Sequence, residues 1–207
     1  MKDIYYNLAP VDVALSDYTA IIPLSEVKDH LRVTWSTEDT FINQQLAAAF
    51  GICEDYCNLS FVYKQYTMNM EQFPDSETED STSFELPRGN GRLSVISIKY
   101  YDTDDTQQTW ALANYVANDA FQTWSRVSLA DGISWPAISG RKQPIEVIYK
   151  SGYNDSGQQL PKTIRQAILL MVGNLYENRQ DVIVGRIASE LPLTAKHLLN
   201  PYRRVKV

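Results

Sequence analysis

The stretch PKTIRQAILLMVGNLY, residues 161–176, carries apolar side chains at the three- and four-residue spacing of an α-helix. Pro161 suits the first turn, because its fixed φ fits a helix start and its missing N–H is not needed there. The apolar face is too wide for a helix lying alone on a surface, so a second apolar helix must cover it. The positions on that face are Ile164, Ala167, Ile168, Met171, Val172, Leu175 and Tyr176.

Residues 38–57, EDTFINQQLAAAFGICEDYC, supply the expected partner helix. Acidic residues lie in its first turn, where they favour a helix start, and Asn58 is predicted to end it. Shorter helices are predicted at residues 24–33, with Ser25 as the N-cap, and at residues 191–200. The stripe of the partner helix consists of Ile42, Leu46, Ala49, Cys53, Tyr56 and Cys57.

From residue 61 to about residue 152 the apolar period changes to two, which is typical of half-buried strands. Residues 121–129, FQTWSRVSL, are the clearest alternating segment and are predicted as one strand. The segment RGNGR, residues 88–92, lies between two strand patterns and is interpreted as a hairpin turn. These turn-separated segments together predict an antiparallel β module.

The predicted class is therefore α+β, with a small core of about four helices interrupted by the β module. The helical core takes residues 24–60 and 156–207 and includes a basic C-terminal tail, and the inserted module takes residues 61–155. Residues 1–23 are predicted to form an N-terminal extension.

Charge is divided unevenly along the chain, whose net charge is −6 over 207 residues. From residue 161 onward there are 8 Lys and Arg against 3 Asp and Glu, and the preceding residues hold 11 against 22. The two parts must face different partners or each other. The sequence has no secretory h-region and no membrane-length apolar run, so synthesis in the cytoplasm is expected.

No arrangement of residues predicts an active site, a metal or a cofactor. The sequence contains no nucleophile elbow, zinc-protease motif or phosphate-binding glycine loop. Cys53 and Cys57 share a helix face, but His30 and His197 are isolated, so the cysteines are interpreted as buried apolar side chains. The acid pairs Asp104 with Asp105 and Glu177 with Asp181 are interpreted as non-catalytic.

Several segments, taken in order, resemble the long form of the tailed-phage head–tail connector (adaptor) family. The likeness covers about residues 24–205, and its most specific parts are the LYENR end of the long helix, SIKYYD and the late PYR. The segments are LSEVKDHLRV, EDTFINQQLAAA, ELPRGNGRLSVISIKYYD, DGISWPAISGRKQPIEVIYKSGY, LPKTIRQAILLMVGNLYENRQDV and ELPLTAKHLLNPYRRV.

The resemblance implies a non-enzymatic structural virion protein of a bacteriophage or prophage, made in the host bacterial cytoplasm. Such connectors form a ring, of about twelve copies to follow portal symmetry, beneath the portal protein. The ring joins the DNA-filled head to a tail or stopper protein. DNA passes through its lumen without sequence-specific binding, and no membrane partner is implied.

Two groups of site residues follow from this resemblance. The candidate portal-docking tail is Tyr202, Arg203, Arg204, Val205 and Lys206; the alternative is a tail folded back on its own subunit as a β-strand. The candidate ring contacts are Tyr176, Glu177, Arg179 and Asp181. Their alternative is a local helix cap in which Arg179 pairs with Glu177 or Asp181, followed by a flexible apolar link from Val182 to Gly185.

A competing interpretation makes the protein a binding module. In it, the β module would recognise a tail protein or a host-surface ligand through Trp110, Trp124 and Trp135. The same tryptophans can instead belong to the core and edges of the module.

Overall fold

The computed structural model describes residues 6–11, 13–75, 80–90, 92–121, 124–153, 159–179, 182–183, 186–187 and 191–204. Contacts divide the chain into a helical unit, Val13–Val62 with Tyr153–Val207, and a β unit, Met1–Asp12 with Tyr63–Gly152. The predicted α+β class is confirmed. The chain therefore passes between the units three times.

The helical unit contains five helices within the described residues, namely α1 Leu15–Ile21, α2 Leu24–Leu31, α3 Asp39–Cys57, α4 Lys162–Glu177 and α5 Leu193–Leu199. A 3₁₀ turn, Asn200–Tyr202, follows α5, and two short strands, Val182–Ile183 and Arg186–Ile187, pair antiparallel after α4. The flexible link expected from Val182 thus begins with strand residues; Val184 and Gly185 lie outside the described residues.

The apolar stripes predicted for α3 and α4 meet in one buried core. Ile42 and Leu46 of α3, and Ile164 and Ile168 of α4, are completely inaccessible to water. Complete burial of an aliphatic side chain of this size stabilises the fold by roughly 1.5–3 kcal/mol relative to exposure. The packing of α3 on α4 is therefore the centre of the helical unit.

Backbone conformation, rather than hydrogen bonds from capping side chains, determines where α3 ends and where α2 begins. Asn58 ends α3, as predicted, and its φ of 55° places it in the left-handed conformation. The predicted N-cap Ser25 is wrong: α2 begins at Leu24, directly after Pro23, and no side chain caps it. Proline fixes the backbone before the helix, so the N-cap is Pro23 and the helix starts two residues earlier than an N-cap at Ser25 indicated.

The described residues of the β unit form two sheets, and the strand pairings described within them are antiparallel. The first is formed by β1 Tyr6–Pro10, β2 Lys64–Met70, β4 Arg92–Tyr101, β5 Gln107–Thr109 and β8 Ile145–Gly152, in the order β1-β2-β8-β4-β5. The second is formed by β3 Ser83–Leu86, β6 Tyr115–Phe121 and β7 Trp124–Leu129, in the order β3-β7-β6.

Residues of the N-terminal segment contribute to both units. β1 pairs along its whole length with β2 and forms one edge of the larger sheet. In the helical unit, Ile22 after α1 is fully buried, and the ring of Tyr18 lies 5.3 Å from that of Phe50. Described residues of the predicted N-terminal extension thus pair in the larger sheet of the β unit and pack against the core of the helical unit.

Two predictions about the β unit are wrong. The segment 88–92 is not a hairpin turn, because it leads from β3 in the smaller sheet to β4 in the larger one. Residues 121–129 are not one strand, because β6 ends at Phe121 and β7 begins at Trp124, and these two residues pair with each other. Glycine and other turn-forming residues indicate that a strand ends but do not say which strands pair. Alternation alone does not show where one strand ends and the next begins.

We predict that Gly89→Ala destabilises the protein. An added Cβ would lie 2.4 Å from Cβ of Ser125 and 2.9 Å from the carbonyl oxygen of Leu86, so the backbone would have to move. Overpacking of this kind costs about 1–3 kcal/mol. Urea denaturation measures the loss, with Gly140→Ala as the matched control, because nothing lies within 4 Å of the Cβ added there. Equal stability of the two variants would contradict the prediction.

Candidate interaction surfaces

A cluster of polar and aromatic side chains lies where the start of α3 meets the end of α4. The carboxylate of Glu38, just before α3, accepts hydrogen bonds from Trp35 Nε1 at 3.1 Å and from the Tyr176 hydroxyl at 2.5 Å. Arg179 Nη2 donates to its other oxygen at 2.5 Å. We call Trp35, Glu38, Phe41, Tyr176 and Arg179 the Glu38 corner.

The guanidinium of Arg179 is held by aromatic rings as well as by charge. Its central carbon lies 4.5 Å from the ring centroid of Phe41 and 4.9 Å from that of Tyr176. A cation over the face of an aromatic ring is attracted by the ring quadrupole. These contacts join the end of α4 to the start of α3, across 141 residues of sequence in the case of Arg179 and Glu38.

The same contacts change the acidity of the corner. The hydrogen bond from Tyr176 and then that from Arg179 lower the pKa of Glu38 from 4.5 to about 2. The bond to Glu38 also raises the pKa of Tyr176 above its ordinary value. The Glu38 carboxylate is therefore charged throughout the physiological pH range.

The structure brings two of the four candidate ring contacts together in one cluster. Tyr176 and Arg179 both belong to the Glu38 corner, whereas Glu177 is exposed on the last turn of α4 and Asp181 lies outside the described residues. The described ion pair of Arg179 is with Glu38 rather than with Glu177. Whether these residues contact a neighbouring subunit stays a prediction.

Sequence reasoning missed Trp35, Glu38 and Phe41. A usable signal was present, because Glu38 and Phe41 flank the predicted start of one helix and Tyr176 and Arg179 flank the predicted end of the other. Two helices that pack antiparallel bring such ends together. Apolar spacing within each helix does not give the direction in which two helices pack, so the spacing alone does not connect these residues.

The candidate docking tail folds onto its own subunit as far as it is described. Tyr202 packs against the helical core, and the backbone N–H of Arg204, a residue only 8% exposed, donates to the carbonyl of Cys57 at 2.8 Å. The guanidinium carbon of Arg203 lies 5.1 Å from the ring centroid of Tyr56. Residues 203–204 are not in a strand, and Val205 and Lys206 lie outside the described residues.

Ion pairs formed by Arg165 and by Arg179 connect the acidic and basic parts of the chain. Arg165 Nη1 lies 2.6 Å from Glu26 Oε2, and its other terminal nitrogen donates to the carbonyl of Ile21 at 2.7 Å. Arg179 with Glu38 is the second pair. At these two places the oppositely charged parts of the sequence face each other.

Cys53 and Cys57 are buried in the helical core, and burial raises the pKa of each thiol to about 12. They are therefore protonated, poorly nucleophilic side chains at neutral pH.

Among the residues that the structure describes, no group of three or more His, Cys, Asp and Glu could hold a metal ion. No helix in that part of the chain is long and apolar enough to cross a membrane.

Two of the three tryptophans of the β unit belong to an aromatic cluster. Trp110 is 6% exposed, and its ring centroid lies 5.0 Å from that of Trp135, which stacks on Phe73 at 4.8 Å. The indole N–H of Trp135 donates to the carbonyl of Ser81 at 2.8 Å. The side chain of Trp124 is outside the described set. Trp110 and Trp135 are thus engaged in packing within the unit.

The fold defines a class of protein in which two separated segments of the chain form a helical core. Most of an antiparallel β unit is inserted between those two segments in the sequence. Solved chains with a similar fold come from gene transfer agent (GTA) particles. One, from the neck of an empty particle computed with C6 symmetry, has a TM-score of 0.75 and 20% identity and covers 97% of both chains. A chain from the neck of a native particle computed with C12 symmetry has a TM-score of 0.69 and 19% identity, covering 96% of this chain and 97% of that one.

A third similar chain, from the virion of a native GTA particle, has a TM-score of 0.72 and 21% identity, with 97% of this chain and 96% of that one covered. No protein-family model and no curated protein matches the sequence. At these identities the likeness establishes a shared fold. That fold, found in neck chains, agrees with the connector resemblance of the sequence.

We predict that Glu38→Gln lowers the stability of the protein in a pH-dependent way. Because the pKa of Glu38 is lowered from 4.5 to about 2, its contribution is complete above pH 4.5 and is lost as the pH falls through about 2. The difference in unfolding free energy between parent and variant should therefore be largest above pH 4.5 and vanish near pH 2.

Chemical denaturation at a series of pH values measures this difference. Glu177→Gln is the control, since Glu177 is an exposed acid on the last turn of α4 outside the Glu38 corner. A constant difference between parent and Glu38→Gln at all pH values would contradict the role assigned to the Glu38 carboxylate.

Proposed function

We propose that the protein is a structural component of a phage-like particle, a head–tail connector subunit that forms a ring beneath the portal. The observation that carries the proposal is the similarity of fold along nearly the whole chain, 97% of both proteins, to a chain of a GTA neck. The C6 and C12 symmetries of the neck structures support a ring as the assembly.

A ring of about twelve copies that joins the head to a tail or stopper has to let DNA pass. A net charge of −6 per subunit is compatible with that requirement. A lumen lined by positive charge would bind phosphates and resist the passage of DNA. The role proposed is mechanical and non-enzymatic, located in the virion.

The ring contacts proposed at the end of α4 are Tyr176, Glu177, Arg179 and Asp181. Because Arg179 already pairs with Glu38, a neighbouring subunit would meet its aromatic surroundings more than its charge. The portal-docking role is proposed for the end of the chain. Since Tyr202 and Arg204 pack on their own subunit, the docking part consists of the exposed Arg203 and the residues after Arg204.

The alternative, a module whose β unit binds a tail protein or host-surface ligand, has less support. Of its three candidate recognition residues, Trp110 and Trp135 pack against each other and against Phe73, and the side chain of Trp124 lies outside the described residues. An aromatic side chain used in packing does not present its faces to a ligand.

We predict that the purified protein assembles into closed rings. Negative-stain electron microscopy and native mass spectrometry should detect one main oligomer of about twelve copies, alone or on the portal of the same particle. The β unit by itself, expressed without the helical segments, serves as the comparison. Monomeric protein under all of these conditions would contradict the connector role.

We predict that two truncations of the C-terminus have different effects. A chain ending at Arg204 should lose binding to the portal, because it lacks the proposed docking residues after Arg204, and it retains the core contacts of Tyr202 and Arg204. A chain ending at Pro201 should lose stability as well, because Tyr202 leaves the core and the carbonyl of Cys57 loses its partner. Loss of one buried hydrogen bond alone costs about 0.5–1.5 kcal/mol.

Thermal unfolding and portal pull-down separate the two effects. Full portal binding by the chain ending at Arg204 would exclude the last three residues as the docking element.

A further inference from the structure

Trp35 is an exposed aromatic side chain held in a fixed position. It is 51% exposed in the segment between α2 and α3, and its indole N–H is hydrogen-bonded to Glu38. Glu38 is in turn bonded to Tyr176 and Arg179. A large side chain that is already ordered loses little conformational entropy when a partner covers it.

The Glu38 corner presents little unbalanced charge to a partner. Its single cation, Arg179, and its single anion, Glu38, are bonded to each other. The centres of protein interfaces are depleted in charge and enriched in tryptophan, tyrosine and arginine. The corner therefore fits an apolar partner surface better than a charged one.

Large apolar side chains are exposed at three places among the described side chains of the helical unit. They are Leu15 at 44%, Trp35 at 51% and Leu193 at 71%. Leu193 begins α5 and has the greatest fractional exposure of the three, so most of its side chain is available for a partner to cover. A closed ring needs two different complementary surfaces on each subunit, and the helical unit offers an aromatic and an aliphatic one.

We infer that Trp35 and the Glu38 corner form one half of the contact between two copies of this chain, and that Leu193 of the second copy forms the other half. This inference rests on the proposed ring and names its subunit contact. Arg179 acts here as a positioning residue, because its bond to Glu38 helps to fix the acceptor of the Trp35 indole.

Complementation between two variants tests the pairing. Trp35→Ala removes the aromatic half and keeps Leu193, whereas Leu193→Glu blocks the aliphatic half and keeps Trp35. Each variant alone should give no rings at concentrations at which the parent assembles. In an equimolar mixture, Leu193 of the Trp35→Ala variant can still meet Trp35 of the Leu193→Glu variant, but the other half of each variant is disabled. Native mass spectrometry of a concentrated mixture should therefore detect a 1:1 dimer and no larger ring. That dimer would also show that both variants are folded.

Leu112→Glu is the matched control, because Leu112 is also 71% exposed but belongs to the β unit, and this variant should form rings like the parent. Rings formed by Trp35→Ala or by Leu193→Glu would overturn the pairing while leaving the proposed ring intact. A mixture without dimers would likewise overturn it. A parent that stays monomeric, alone and with portal, would overturn the proposed function and the pairing with it.

Discussion

The buried contact between α3 and α4 is the interaction on which the rest of the protein depends. The two helices come from segments separated by the β unit, Tyr63–Gly152, so no local sequence holds them together. The cost of closing a loop grows only slowly with its length, and several fully buried aliphatic side chains offset it. Where the chain leaves and re-enters the helical unit, Val62 bridges Tyr153, and Glu54 Oε1 accepts the backbone N–H of Phe61 at 2.6 Å. These contacts hold the chain in place at the two points where the insertion begins and ends.

The packing of α3 on α4 also determines where the two candidate surfaces, the Glu38 corner and the C-terminal segment, lie in the helical unit. The start of α3 meets the end of α4 at Glu38 and Arg179, so the helices run in opposite directions. The other end of α3 receives the C-terminal segment, through the bond from Arg204 N–H to the carbonyl of Cys57. The Glu38 corner and the C-terminal segment therefore lie at opposite ends of one helix. A substitution that loosened the core of the helical unit would disturb both surfaces, which is why each experiment on a surface needs a measurement of stability beside it.

Patterns within one element were predictable, and contacts between distant elements were not. The apolar stripes of α3 and α4, the end of α3 at Asn58 and the α+β class follow from spacing and local backbone preference. The pairing of β3 with β7, the edge position of β1 and the bond between Glu38 and Arg179 depend on which elements meet, and periodicity carries no such information. The segment 88–92 is an example, because its glycines predicted a hairpin, whereas the strands before and after it belong to different sheets.

The charge distribution along the sequence does not distinguish contacts within one chain from contacts with another protein. A basic C-terminal part of the sequence is compatible with an acidic partner on another protein, but Arg165 and Arg179 are bonded to Glu26 and Glu38 of the same chain. A cation that is already paired gains little from a second acid and loses hydration when it is covered. Such a residue contributes to an interface mainly by holding its neighbours in place. In the Glu38 corner those neighbours are aromatic, and Trp35, with half of its surface in water, has the most to gain from being covered.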